Sequence, residues 1–379
     1  MIKFIFLLTV ALSAKSVHGS CGDQQVFPEL NFHPTGNNLK FPCESTKRIY
    51  MRTKTYIPKN FILTRAQIHQ NVVYACAPRL KNGVPFSLTR LTLKKGECVP
   101  TVEPYPCWSI QEEGNCQAIQ SCTDLVHDPK SILWVLDNGD TNTLEQPIHR
   151  CDAKVVGIDT KTDKVVSSIC LAELVNHKSR LQHLVVDYDE GGNCYLYVAD
   201  GGNNCILVWD VTNEKGYRIV LPSALHNGCA KPDVLYTTMI RKSNGFSYLY
   251  MNYLCGSNLF SIKTKHLRQG EGSSAVVDHG KIPGDKQLVQ LGHDNANYLF
   301  VRGKDERNIY LYNTETCLKS SNFILVQKGG ECRLPTHVFP GYQNYMWVLS
   351  SNTHHYVADK VGSTGADIAI HPLVKDCDD

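Results

Sequence analysis

The stretch "YLYVADGGNNCILVWDV", from Tyr195, runs five apolar or aromatic residues into an Asp, turns through a Gly- and Asn-rich segment, and closes on a second apolar run. The chain writes this unit six times. "NVVYACAPRLKNGVPFSLTRLTL" centres on Tyr74, "ILWVLDNGD" on Trp134, the opening stretch on Tyr197, "YLYMNYLCGSNLFSI" on Tyr250, "YLFVRGKDERNIYLYNT" on Phe300 and "YMWVLSSNTHHYV" on Trp347. The aromatic positions are separated by 60, 63, 53, 50 and 47 residues. A repeat of this length built from short strands is a blade-sized unit, and a unit that cannot cover its own faces must stack on its neighbours.

A second pattern precedes each copy: "FILTRAQI", "CTDLVHD", "RLQHLVVDY", "DVLYTTMI", "QLVQLGHD" and "THVFPGY". Each unit therefore reads strand, turn, aromatic strand, turn, strand, with a weaker fourth strand such as "VVSSIC" or "YRIVLP". β-Branched and aromatic runs punctuated by Gly, Asn, Asp and Pro give strands rather than helices. "LAELVNHKSRL" is the best short helix. The expected fold is all-β, a disulfide-rich six-bladed β-propeller over residues 61–379, with Trp134, Tyr197, Tyr250, Phe300 and Trp347 packed between blades. Radial packing buries both faces of each blade and leaves only short strand edges.

The first residues read differently. Lys3 precedes an apolar run from Phe4 to Ala14, and Val17 and Gly19 are small residues spaced for signal peptidase. Residues 1–19 are expected to be a secretory signal peptide, since the run is too short to span a bilayer. Residues 20–60 form an N-terminal segment rich in Pro, Asn and Gly, expected to lie outside the blades. It either ties back onto the propeller or offers Cys21 and Cys43 for links to other chains. With 39 basic and 36 acidic side chains and no basic run, neither nucleic acid nor membrane is an expected partner.

Sixteen cysteines follow the leader: Cys21, Cys43, Cys76, Cys98, Cys107, Cys116, Cys122, Cys151, Cys170, Cys194, Cys205, Cys229, Cys255, Cys317, Cys332 and Cys377. An even number in an oxidising compartment predicts disulfides throughout, with few or no free thiols. No Cys-x-x-Cys pair occurs, so no metal is expected there.

The sequence lacks the His-Glu-x-x-His, Gly-x-Ser-x-Gly, Walker A and Gly-x-Gly-x-x-Gly signatures, and neither a catalytic residue nor a cofactor is expected. Polar residues end the aromatic strands: Asp137, Asp200, Asn252, Arg302 and Asn352. They are the candidates for lining a ligand channel, against the alternative that Asp and Asn simply form the turns. Asp124, Asp137, Asp200 and Asn252 are candidate oxygen donors for calcium. His183, His226, His293 and His337 are scattered and read as structural. His354 and His355, adjacent on a strand, would face opposite ways.

The blocks "LWVLDNG", "YLYVADGGNNCILVWDV", "LYMNYLCGSNLFSIKTKHLR" and "YMWVLSSNTHHY" resemble, in order, those of the yellow / major royal jelly protein family of insects. The resemblance covers residues 60–360 and implies a secreted six-bladed propeller. "FPCESTKRIY", "PYPCWSIQEEGNCQAIQSCTD" and "NTLEQPIHRC" resemble the yellow-g branch, associated with the follicular eggshell and its vitelline membrane. The segment "HDPKSILWVLD" lacks a cysteine that many members carry before that block. The resemblance implies a structural or assembly component of the vitelline membrane or chorion, with other eggshell matrix proteins as partners. The alternatives it offers are a dopachrome-converting enzyme of melanin synthesis and a binder of small aromatic amines in the channel. Asp137 or Asp200 would then pair with the ammonium.

Overall fold

The structure, a computed structural model, describes residues 27–231, 233–330 and 332–373. The leader, Cys21 and Cys377 lie outside the described residues. Six antiparallel sheets form six blades. Their innermost strands are Arg65–His69, Cys122–His127, Leu181–Tyr188, Leu235–Arg241, Leu288–His293 and Leu334–Pro340. Each inner strand touches those of both neighbouring blades, and the sixth touches the first, so the ring closes. The motif expected ahead of each aromatic strand is this inner strand.

The second strand of each blade carries the repeated aromatic residue, and each aromatic residue lies in a different inter-blade core. Tyr74 packs between blades 1 and 2, Trp134 between 2 and 3, and Tyr197 between 3 and 4. Tyr250, Phe300 and Trp347 fill the gaps from blade 4 round to blade 1. The core is thus six wedges, each made by two blades.

Polar side chains latch every gap as well. Ser87 accepts the Cys122 N–H at 2.6 Å, Asp124 the Leu184 N–H at 2.9 Å, and Gln182 the Leu235 N–H at 3.0 Å. Asn252 donates to the Leu288 carbonyl at 2.9 Å and Arg302 to that of Pro335 at 2.8 Å, while His337 accepts the Ala66 N–H at 3.3 Å. An inner strand has a free edge toward the axis, and these bonds satisfy part of it.

Among the described residues blade 6 has three strands, and its outer edge pairs with the N-terminal segment. Phe32 and Ile370 exchange both backbone hydrogen bonds, at 3.0 and 2.9 Å, and the Phe32 ring is buried beside Trp347. The segment is therefore part of the ring closure, not a tail outside it. It also holds the helix Glu44–Arg52, which the strand-based reading missed. The helix expected at "LAELVNHKSRL" is only a 3-10 turn, Ala172–Leu174, because the next inner strand begins at Leu181. The last aromatic strand stops at Ser351, and His354 and His355 sit on a short helix, Thr353–Val357, with ring centroids 4.1 Å apart.

Disulfides join Cys76 to Cys122, Cys116 to Cys151 and Cys229 to Cys255, and Cys332 is also disulfide-bonded. The expectation of full pairing is corrected: Cys43, Cys98, Cys107, Cys170, Cys194, Cys205 and Cys317 are free thiols. The reason is placement. Cys205 lies opposite Asp200, six residues along the strand that Cys194 starts, roughly 20 Å at ~3.3 Å per residue and far beyond the ~7 Å Cα limit of a disulfide. These two are buried apolar filling of the wedge between blades 2 and 3. The other five are exposed, Cys170 at the end of a strand and Cys43, Cys98, Cys107 and Cys317 between elements.

Candidate functional site

A cavity of about 520 Å³ opens on the axis at the end of the ring where the inner strands finish. That volume suits a small molecule. All six inner strands contribute. Its deep end is a polar cluster made by blades 1, 2, 3 and 6. Arg65 lies 2.8 Å from His183 Nδ1 and 3.9 Å from Asp124, and His183 is 3.4 Å from the other Asp124 oxygen. Asp124 also accepts the Leu125 N–H at 2.8 Å besides that of Leu184. Burial works to raise the Asp124 carboxyl, but Arg65, His183 and His337 outweigh it and hold the group below its usual range. Burial pushes the His337 imidazole down to about 3, and Arg65 adds to the shift. The His337 Nδ1 that accepts the Ala66 N–H leaves Nε2 to carry the proton.

Toward the mouth the walls turn apolar, with Ile68, Val185, Met239, Leu291 and Phe339. The rim is basic: Arg241 stands there with His69, His127 and His293. The His69 and His127 rings stack at 4.4 Å. Burial lowers His127 and His293 to about 4 each, so both are neutral at pH 7. Two further groups near the deep end, Thr237 Oγ1 and Gln290 Oε1, are buried without a hydrogen-bond partner.

None of the five sequence-predicted channel residues lines this cavity. Asp137 accepts the N–H groups of Gln120 and Ser121 at 2.8 Å and of Gly139 at 3.0 Å, and pairs with Lys154 at 3.0 Å. Asp200 accepts from Arg180 N at 2.8 Å, Gly202 N at 3.0 Å and Asn203 Nδ2 at 2.7 Å. Asn352 accepts the Asp367 N–H at 2.9 Å. Asn252 and Arg302 are latches between blades. Asp137 and Asp200 fill the turn role open to Asp and Asn. Asn252 reaches the cavity only through Gln290, whose Nε2 donates to Asn252 Oδ1 at 2.8 Å. The four calcium candidates do not converge: Asp124 lines the cavity, Asp137 and Asp200 hold turns of their own blades, and Asn252 bridges blades 4 and 5.

Instead, His183 and His337, read as structural, meet Arg65 and Asp124 on the axis, and His293, read the same way, lines the rim. A signal was present: a polar residue interrupts the apolar inner-strand runs "TRAQIH", "TDLVHD", "LQHLVVD" and "THVFP". A buried strand has no need of one unless it faces the axis.

The profile described as Major royal jelly protein matches residues 120–371. Similar proteins include the dopaminechrome tautomerase of Drosophila melanogaster, 28% identical over 169 residues, covering 43% of this chain and 36% of that protein. Major royal jelly protein 3 of Apis mellifera is 32% identical over 143 residues, 36% of this chain and 26% of that protein. Protein yellow of Drosophila erecta is 24% identical over 253 residues, 61% of this chain and 46% of that protein. The chain spans less than half the length of each of these relatives.

Proposed function

The chain belongs to the major royal jelly protein family, and from that membership we propose that it is an extracellular structural protein, held in an eggshell matrix by the free thiols on its surface. The observation that carries this reading is the coexistence of disulfides within the chain and five exposed free cysteines, Cys43, Cys98, Cys107, Cys170 and Cys317. They lie at five points along the chain, Cys170 at a strand end and the other four between elements, so one copy can be tied to more than one neighbour. Cys43 is the most reactive: hydrogen bonds to Ser45 and Thr46 bring its thiol down to about 7, so thiolate is present at neutral pH. That thiolate attacks a disulfide on a neighbouring chain or a small molecule; the old S–S bond breaks, its distal sulfur leaves as thiolate, and a new S–S bond forms. The yellow-g-like blocks, one of which contains Cys43, support the eggshell as the setting.

The relative named as a tautomerase supplies the rival reading, catalysis on a melanin-pathway intermediate. Asp137 and Asp200, the carboxylates proposed to hold an aromatic amine, are engaged by turn N–H groups and Lys154, which counts against amine binding through them.

The test is oxidation of purified protein with glutathione disulfide, followed by non-reducing electrophoresis. The expected result is a ladder of multimers collapsed by reductant, and monomer only when Cys43, Cys98, Cys107, Cys170 and Cys317 are replaced by Ser. A wild-type protein that stays monomeric would rule the reading out, the more so if it accelerated dopachrome loss over a heat-denatured control.

A further inference from the structure

Two buried polar atoms on adjoining inner strands, Thr237 Oγ1 and Gln290 Oε1, have no hydrogen-bond partner among the described residues, and both residues line the axial cavity. Gln290 is 2% exposed and Thr237 8% exposed. A buried acceptor or hydroxyl left without a partner is costly to desolvate, so such a group in a cavity marks where a ligand atom bonds. The Gln290 amide is oriented by its bond to Asn252, which turns the free Oε1 away from that latch. Oε1 accepts only, so the ligand must present an O–H or N–H there. The Thr237 hydroxyl bonds to either kind of atom.

The other end of the site is set by strand geometry. Thr237 and Arg241 lie four residues apart on Leu235–Arg241, so they share a face and sit ~13 Å apart at ~3.3 Å per residue. Met239, on the same face between them, is part of the apolar wall. Arg241 makes no ion pair among the described residues, and it is exposed at the rim. The cavity's two carboxylates are both engaged. Asp124 is held by backbone N–H groups and by Arg65 and His183. Asp128 accepts from Lys130 N and Ile132 N at 2.8 and 2.9 Å, from Trp134 Nε1 at 2.9 Å and from the Tyr188 hydroxyl at 2.5 Å. A cationic ligand would thus meet a free cation and no free anion.

We propose that the cavity binds a small amphipathic carboxylate that carries a hydroxyl or N–H at the end remote from the carboxylate. The donor reaches Gln290 Oε1 and Thr237 Oγ1, the apolar body lies along Met239 and Leu291, and the carboxylate pairs with Arg241. A phenol joined to a carboxylate through two methylene groups spans most of the distance, with the arginine side chain closing the rest. This site is independent of the surface thiols, and its occupancy neither requires nor excludes incorporation into a matrix.

The test is isothermal titration of the full secreted protein with 3-(4-hydroxyphenyl)propionate, 3-phenylpropionate and tyramine. The hydroxylated acid binds tightest. The acid without the hydroxyl is weaker by about five-fold, the range of one hydrogen bond, and the amine by at least about ten-fold. Thr237→Val weakens the hydroxylated acid by about five-fold and leaves 3-phenylpropionate unchanged, a difference that misfolding cannot produce. Arg241→Gln, at an exposed position, removes the preference for acid over amine. Tyramine binding as tightly as the acid, no saturable heat with either acid, or wild-type affinities in both variants would each overturn the proposal.

Discussion

Asp137 and Asp200 end equivalent strands and do equivalent work, each gathering the N–H groups of a turn. Asp137 is fully buried with Lys154. Replacing it by Ala leaves that ammonium buried and unpaired, an imbalance worth about 3–5 kcal/mol. Asp137→Ala should lower the urea midpoint accordingly and leave ligand affinity in the axial cavity untouched. The thiols separate in the same way. Cys43 should label with iodoacetamide half-maximally near pH 7, whereas burial pushes Cys194 to about 11 and Cys205 to about 12, so both should label only after denaturation. Labelling of native Cys205 at pH 8 would contradict its place in the wedge. The axial imidazoles make stability pH-dependent. His127 and His293 near 4 and His337 near 3 titrate below the ~6.5 of an unfolded histidine, so between these values the unfolded chain binds more protons. Stability should therefore fall as pH drops from about 6.5 toward 4. The depressed Asp124 carboxyl adds a further loss below the ~3.9 of an unfolded aspartate. The unfolding midpoint should be lower at pH 5 than at pH 7, with a shallower fall in His293→Gln; a flat profile would contradict these burials.

At the scale of the element, the aromatic strands were legible because each carries its signal locally: an apolar run, a ring, a turn. The inner strands were legible as strands, but their function was not. Arg65 meets His183 across 118 residues, and His337 meets Ala66 across 271, so the axial cluster exists only once the ring has closed. Nothing in one repeat announces it. The turn carboxylates drew attention instead, because Asp or Asn after a strand looks the same whether it faces a ligand or a backbone N–H. The helix Glu44–Arg52 is hard to read for a related reason: it fully buries no residue, and Tyr50 meets its partners Phe41 and Trp108 only in the folded chain. Close approach of two elements is clearest at Gly292, with φ +148°, where a Cβ would lie 1.9 Å from the Val338 carbonyl oxygen. Gly292→Ala must part the inner strands of blades 5 and 6, and should cost at least about 1–3 kcal/mol in thermal or urea unfolding. A neutral effect would mean that the two strands are not in contact.

The whole molecule is a closed ring, and closure couples its parts. Phe32 belongs to the N-terminal segment, yet its backbone pairs with Ile370 and its ring lies 6.2 Å from that of Trp347. Phe32→Ala should destabilise the protein by about 3–5 kcal/mol and move one unfolding transition, rather than split off a separate one. Residues 286–360, which hold blade 5 and most of blade 6, cannot be removed without exposing a face of blade 4 and a face of blade 1; the shortened chain should show no cooperative melt. A closed ring with free thiols exposed on its surface is suited to being cross-linked without being deformed. The most direct measurement is extraction of laid eggs in denaturant with and without reductant, followed by immunoblotting for this protein. Denaturant alone should leave it in the insoluble shell, and reductant should release it at monomer size. Release of monomer by denaturant alone, or absence of the protein from the shell, would rule out a disulfide-held matrix role.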